Sequence, residues 1–428
     1  MRRHAFVIRC GMFVMALMLC AVGVRAADAP ADLAVLIREA LEKNPEILAS
    51  QARLEGARQR VPQAESLPDP MLSAGYQNMG FERYSYGEYE FSQWMFEASQ
   101  TFPFPGKRSL RAEASRKESE SLGATHESVR LKIVLRVKEL YYDLLLGYRN
   151  LDLIRERTAL AVRIEEAALA RYATGSAGRE EVMTGQAEKY LLLEREETER
   201  RRIEAIESGL NQVTGRPVNA PLGRPVLPAP TPFPADLEEL VRKTETHSPE
   251  LASRGRMLDA ARARETLAKR EALPDVTFTA GYANRAGGFR DMWSLSMGIP
   301  LPIYFGYKQK PGIAEASAGV SASRFELEGA RTMLLSSVRE NLAAVRSAER
   351  LMALYREGLI PKTRQDLDFT LAGYLGGKGD VAPLLTRLKA LYDYEFAYWT
   401  QFTEREKAIA RIDAVTGTGN GTQGDTGK

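Results

Sequence analysis

Any chemistry in this 428-residue chain has to begin with its scarce reactive side chains, and these are poorly placed for it. Both cysteines, Cys10 and Cys20, lie in an apolar stretch at the N-terminus, so the chain beyond residue 26 has no thiol for a disulfide, a nucleophile or a thiolate metal site. His126 and His247, the histidines past that point, sit on different predicted helices, and neither has a partner at zinc spacing. The methionines beyond residue 26 form no close cluster that would hold a soft metal. No phosphate-binding glycine loop and no catalytic triad candidate is present. The adjacent acids Glu165-Glu166 and Glu180-Glu181 fall on charged helix faces, and a solvated surface accounts for them better than a catalytic dyad. The residue types therefore point away from an enzyme and away from any cofactor.

The elements carry the information instead. From Arg108 to about Ala170 the chain runs for over 60 residues without a proline, and Ile133, Val137, Leu140, Leu144, Leu151 and Ile154 form a heptad-type seam with Gly147 in its one gap. A second apolar stripe, Val134, Tyr141, Leu145 and Tyr148, runs beside it. One stripe suits a two-stranded coiled-coil rod, whereas two suit a helix with neighbours on both sides, as in a closed ring. At about 1.5 Å per residue such a helix would span roughly 95 Å, too long for an ordinary globular domain. Arg155, Glu156, Arg157, Arg163, Glu165 and Glu166 alternate in sign as on a solvated outer face.

Residues 1–26 read as a secretory leader, with Arg2, Arg3 and Arg9 before the apolar run Met12–Val24 and a small-residue site at Val24-Arg25-Ala26. Leu17-Met18-Leu19-Cys20 resembles a lipoprotein signal, but Leu19 stands where a small residue is expected; a lipid anchor on Cys20 stays open beside simple cleavage. Four of the 59 basic residues belong to this leader, against 56 acidic residues elsewhere, so the remainder is near neutral. That balance speaks against nucleic acid as a partner.

The rest of the chain says the same thing twice. Asp32-Leu33 is answered by Asp236-Leu237, Asn44-Pro45-Glu46 by Ser248-Pro249-Glu250, Leu67-Pro68-Asp69 by Leu273-Pro274-Asp275, and Gly75-Tyr76 by Gly281-Tyr282. Pro103-Phe104-Pro105 is answered by Pro300-Leu301-Pro302, Tyr172 to Gly175 by Tyr374 to Gly377, and Val213-Thr214-Gly215 by Val415-Thr416-Gly417. This order indicates an internal duplication: a first repeat at 27–215, a proline-rich extended connector at 216–234, a second repeat at 235–417 and a tail at 418–428 expected to be disordered. Each repeat reads as short helix, long helix, two strands, very long helix, tight turn and return helix. The second very long helix, near Gly312–Ala372, has a weaker seam, broken at Glu349 and Arg356, and Pro361 is expected to kink it or mark a joint.

The strands alternate. Val276, Phe278, Ala280 and Tyr282 face one way, and Trp293, Leu295, Met297 and Ile299 do the same in the next strand, with Ala286-Gly287-Gly288 as the hairpin loop. The first repeat gives a less regular pair near Met71–Met79 and Tyr89–Thr101. About 9–11 residues is the length of a tilted membrane strand, and Tyr76, Tyr84, Tyr86, Tyr89, Trp94, Tyr282 and Trp293 supply interfacial aromatics. Soluble hairpins packed on the helices are the alternative. Four strands cannot close a barrel by themselves, so a transmembrane reading requires several chains.

Together the duplicated halves, the Asn-Pro-Glu and Ser-Pro-Glu helix starts, Leu-Pro-Asp before a strand, and the proline-flanked returns at Phe102–Gly106 and Ile299–Ile303 resemble the TolC family of outer-membrane efflux proteins over the chain beyond the leader. The resemblance implies a mainly α fold with a small transmembrane β part: a long α-helical barrel in the periplasm and a twelve-stranded outer-membrane barrel shared by a homotrimer, four strands per chain. It implies a passive exit duct working with a periplasmic adaptor and an inner-membrane pump, of RND type, with Val276, Phe278, Tyr282, Trp293, Leu295 and Met297 against outer-membrane lipid. Phe102–Lys107 resembles the heavy-metal cation branch. The turns at Tyr172, Gly175, Tyr374, Gly376 and Gly377 would dock the adaptor. Glu181, Asp380 and Lys378 would lie at the periplasmic aperture, although Pro383 and Thr386 stand where the family pattern has acids in the second repeat. A coiled-coil adaptor or scaffold without a pore is the competing reading.

Overall fold

The computed structural model describes residues 30–234 and 236–418; the stretch read as a leader, with Cys10 and Cys20, and residues 419–428 lie outside the described residues. In chain order the elements are α1 (Leu33–Lys43), α2 (Pro45–Glu65), β1 (Met71–Gln77), β2 (Gln93–Phe102), α3 (Lys107–Ala173) and α4 (Arg179–Thr214). The same order recurs as α5 (Leu237–His247), α6 (Pro249–Glu271), β3 (Val276–Arg285), β4 (Met292–Gly298), α7 (Gln309–Leu354), α8 (Ile360–Leu375) and α9 (Val381–Thr416). None of the described helices is long and apolar enough to cross a membrane. The chain forms two compact units, one from residues 48–129 and 245–335, the other from the remaining described residues.

In the first unit a single antiparallel sheet runs β1-β2-β3-β4, so the two hairpins join through β2 and β3. Small side chains let α3 and α6 approach: the Ser121 and Ser253 hydroxyls lie 3.0 Å apart, and Ala260, Ala261 and Ala263 are buried. The first hairpin differs from expectation. β1 stops at Gln77 and β2 starts at Gln93, because Asn78 and Ser85 fold the intervening residues back on themselves: the Asn78 Oδ1 accepts from the Ser85 N–H and hydroxyl, both at 2.8 Å. Tyr89 is therefore in the loop. In the second hairpin Gly287 and Gly288 take positive φ, as the loop there requires.

The second unit is helical. Every seam residue of α3 named above is buried, and so are Val134, Tyr141 and Leu145 of the second stripe. At Gly147 α4 packs tightly on α3, since a Cβ there would stand 3.0 Å from Ile203 Cγ1. The gap in the heptad is thus a packing site. Val338, Leu342 and Val345 of α7 pack with Leu240 of α5 and Ala408, Ile409 and Ile412 of α9. Glu349, which interrupts that seam, is held by Arg405 of α9 at 2.9 Å.

The charged face of α3 is only partly solvated. Arg157 and Glu165 are buried, Arg157 paired with Glu395 of α9 and Glu165 with Lys189 of α4 at 2.6 Å. Sequence alternation could not show this, because the partners lie on helices remote in the chain. Pro361 marks a joint between α7 and α8: lacking an N–H it cannot bond the carbonyl four residues back, and the ladder resets through a π-turn at Tyr355–Leu359, where the Ile360 N–H reaches the Tyr355 carbonyl.

The connector is extended but fastened. Ala31 pairs with it through the Arg224 and Val226 backbone, and the buried Tyr141 hydroxyl donates to the Val226 carbonyl at 2.6 Å. Asn211 holds the Val218 and Ala220 carbonyls. Asn44 both caps α2, accepting from the Glu46 N–H at 2.8 Å, and donates to the Val213 carbonyl.

Candidate functional site

Two regions carry the expected functional residues. The first is in the helical unit, where α3 turns into α4 and α8 into α9. Both turns are Schellman motifs built around one glycine each. At the first, Gly175 has φ +71°, its N–H reaches the Tyr172 carbonyl and the Ser176 N–H reaches that of Arg171. At the second, Gly377 has φ +81°, with matching bonds from Gly377 to Tyr374 and from Lys378 to Gly373. A side chain at either glycine would meet open space, so the requirement is conformational and not steric. Gly376 has an ordinary φ of −77° and carries no such requirement.

Tyr172 and Tyr374, matched in the duplication, end in different environments. Tyr172 is exposed, whereas Tyr374 is 1% exposed and packs with Ile164, Leu367, Val381, Leu384 and Leu388. Its ring lies under the Arg171 guanidinium, 4.7 Å from centroid to Cζ, and its hydroxyl donates to Glu181 Oε2 at 3.2 Å. Burial, with the Glu181 charge beside it, pushes the Tyr374 phenol up, so it remains a donor.

Arg171 is the residue that sequence reasoning missed. It donates to the Gly379 carbonyl at 3.0 Å and the Ser176 carbonyl at 3.5 Å, and stands 3.6 Å from Glu181. One guanidinium therefore ties both turns together. The only sequence signal was a basic residue in the last turn of α3. Glu181 is thus half-buried and paired. Asp380, at the N-cap position of α9, makes no capping bond with its side chain, and Lys378 is exposed; the structure does not bring these two into the Arg171 cluster.

The second region is the sheet. Its register aligns Phe278 with Met297, Ala280 with Leu295 and Tyr282 with Trp293. It also sets Val276 beside Phe102 and Tyr282 beside Phe96, and Ala74 and Tyr76 beside Phe96 and Trp94. Most of the large apolar residues of the four strands therefore share one face, with Met71, Met95 and Met292 on the other. Leu72, Leu295 and Trp293 are 79%, 71% and 81% exposed there, far more than a soluble sheet leaves to water. The opposite face carries Ser73, Glu97, Ser99, Thr101, Thr277, Thr279, Ser294 and Ser296. Apolar outside and polar inside is the pattern of a water-filled barrel wall in lipid. Tyr76, Tyr84, Tyr86 and Trp94 cluster at one end, with ring centroids 4.8–6.4 Å apart.

Residues 36–216 and 240–418 match the family model described as outer membrane efflux protein. The chain belongs to this family. Its two matched segments span the two runs of repeated elements. Among curated proteins, outer membrane protein TolC of Vibrio cholerae is 22% identical over 383 residues, covering 85% of each chain. The cobalt-zinc-cadmium resistance protein CzcC of Cupriavidus metallidurans is 22% identical over 407 residues, covering 92% of this chain and 91% of that one. The fold is similar to the outer membrane protein VceC of Vibrio cholerae, with a TM-score of 0.77 and 18% identity over 90% of this chain and 96% of that one. It is likewise similar to the CmeC channel of Campylobacter jejuni, with a TM-score of 0.79 and 14% identity over 94% and 92%.

As a member of this family the chain is an outer-membrane channel, the exit duct of a tripartite efflux system reaching into the periplasm, and not an enzyme. The reading as a scaffold without a pore finds no support among these matches. Channels of this family are homotrimers that work with an adaptor and an inner-membrane pump.

The Phe-Pro-Phe-Pro-Gly-Lys stretch has a structural task. Lys107 is 2% exposed; its ammonium donates to Asp275 Oδ1 at 2.8 Å and to the Leu273 carbonyl at 2.7 Å, with Glu271 at 3.3 Å. Asp275 also accepts from the Phe104 N–H at 2.8 Å. Burial works against the Asp275 charge, but the Lys107 and Phe104 hydrogen bonds outweigh it and hold the carboxyl below the usual aspartate range. The two repeated motifs, Leu-Pro-Asp and the proline return, meet here as a clasp at the base of β2 and β3.

Proposed function

We propose that three copies of this chain close a twelve-stranded barrel in the outer membrane, with Val276, Phe278, Tyr282, Trp293, Leu295 and Met297 against lipid, and conduct cargo passively. The observation that carries this is the single apolar face four strands wide, whose outer edges, β1 and β4, have no partner strand among the described residues. The two repeats, 27–215 and 235–417, would each contribute one hairpin, joined by the connector at 216–234. The turns at Tyr172, Gly175, Gly376 and Gly377 would form the adaptor-docking surface at the periplasmic mouth, with Tyr374 supporting them from within. Glu181, Asp380 and Lys378 would line that mouth, and an RND pump would supply the energy.

Planar-bilayer conductance of the purified protein, with its native mass measured alongside, tests the conduit. Discrete channels from a three-copy species are expected, and a soluble single-copy mass without conductance would overturn the reading. Replacing Gly175 and Gly377 together by valine tests docking: export should stop while trimers still reach the outer membrane. The similarity to CzcC over 92% of the chain supports divalent metal cations as cargo. Deleting the gene should then lower cobalt, zinc and cadmium tolerance; unchanged tolerance to all three would reject that cargo class.

A further inference from the structure

The in-chain clasp has an unfilled counterpart. Leu-Pro-Asp occurs twice, before β1 and before β3, but only Asp275 has partners. Asp69 is exposed, with no hydrogen bond or ion pair among the described residues. The proline return also occurs twice. After β2 it delivers Lys107, whose N–H bonds the Phe104 carbonyl at 3.1 Å, and leaves the Phe104 N–H free to reach Asp275. After β4 it delivers Lys308 through a turn one residue longer: the Tyr304 carbonyl accepts from the Tyr307 N–H at 3.0 Å and from the Lys308 N–H at 2.9 Å. Counted from Gly106 and Gly306, Tyr304 occupies the place of Phe104, three residues beyond the Pro300-Leu301-Pro302 match, and Lys308 lies one residue past the place of Lys107. The Lys308 side chain is exposed and has no carboxylate within ion-pair distance among the described residues. One donor set and one acceptor are left over, at opposite edges of the same sheet.

We propose that Asp69 of one copy accepts from the Lys308 ammonium and the Tyr304 N–H of its neighbour, repeating between chains the clasp that Asp275 makes with Lys107 and Phe104 within one. This rests on the three-copy barrel reading. Strand direction agrees with it: the sheet is antiparallel throughout, so β4 runs opposite to a neighbour's β1, as β2 does to β3. Face parity agrees too, because Trp293, Leu295 and Met297 of β4 would continue onto Leu72, Ala74 and Tyr76 of β1 with the apolar sides together. Opposite charges at the two edges also make the seam directional, so that only head-to-tail closure pairs them.

The test is a double-mutant cycle on assembled material: Asp69→Asn, Lys308→Gln and the pair, with Lys310→Gln as a control two residues along. Native mass of the unmodified protein comes first; a single-copy mass at that step overturns the three-copy reading itself, before any variant is made. With trimers in hand, the half-life of trimer dissociation at a fixed elevated temperature is measured. Each single change should shorten it about tenfold, the double no further than either single, and Lys310→Gln should leave it unchanged. The exchanged pair Asp69→Lys with Lys308→Asp should recover much of the loss. Trimers whose half-life is unaffected by either change, or shortened additively by both, would overturn the clasp while leaving the trimer standing.

Discussion

At the scale of single residues, one guanidinium decides how the hairpin turns are held. Arg171 covers the Tyr374 ring, faces Glu181 and donates to a carbonyl in each turn. Arg171→Ala leaves those carbonyls and a half-buried carboxylate without their donor, a loss of about 2 kcal/mol. Limited proteolysis should then cut at residues 174–178 and 376–380 at protease levels that spare the unmodified protein; equal resistance would show the turns to be held by their own backbone bonds. The Glu39–Arg216 pair, 2.6 Å apart, gives a pH signature. The Arg216 hydrogen bond holds the Glu39 carboxyl below its ordinary value of 4.5. A lowered folded pKa means the stabilisation is complete above the unfolded value and disappears as pH falls through the folded one. The melting gap between the unmodified protein and Glu39→Gln should stay constant above about pH 5 and close as the solution is made more acidic than pH 4.5. A gap that persisted in strong acid would place the effect elsewhere.

At the scale of elements, the long helices were readable because their repeat is local. Proline is absent and the apolar spacing persists, so α3 emerges within a few residues of its observed ends. What the spacing could not reveal is which helix covers each stripe. Gly147 shows the difference: as sequence it is a missing seam residue, in the fold it is the point where Ile203 of α4 packs against the α3 backbone. Gly147→Leu should overpack this contact and cost about 1–3 kcal/mol, measured as a lower melting temperature with the helical content unchanged. A neutral result would mean that α4 can shift aside. The first hairpin was less legible than the second because Asn78 and Ser85 redirect the chain through side-chain bonds that no alternation pattern encodes.

At the scale of the whole molecule, the sheet is what commits this protein to a membrane and to company. The aligned register turns four weak alternations into one continuous apolar surface, and neighbouring positions become opposites. Leu295→Arg puts a charge on that surface and should cost about 2–4 kcal/mol of membrane insertion. Ser296→Arg faces the polar side beside Thr279 and should be tolerated. The amount of each variant recovered in the outer-membrane fraction distinguishes them; equal recovery would reject the assignment of faces.

The sequence alone determined the duplication, the helix starts at Asn44-Pro45 and Ser248-Pro249, the glycine turns and the inside-outside alternation of the strands. All of these are encoded by residues close together in the chain, through backbone preference and periodic burial. Tertiary structure alone decided that Tyr374 is buried while Tyr172 is exposed, that Arg157 and Glu165 lie inside, and that Lys107 belongs to Asp275. Each of those outcomes depends on a partner brought close by folding, and charge or aromatic character does not name its partner.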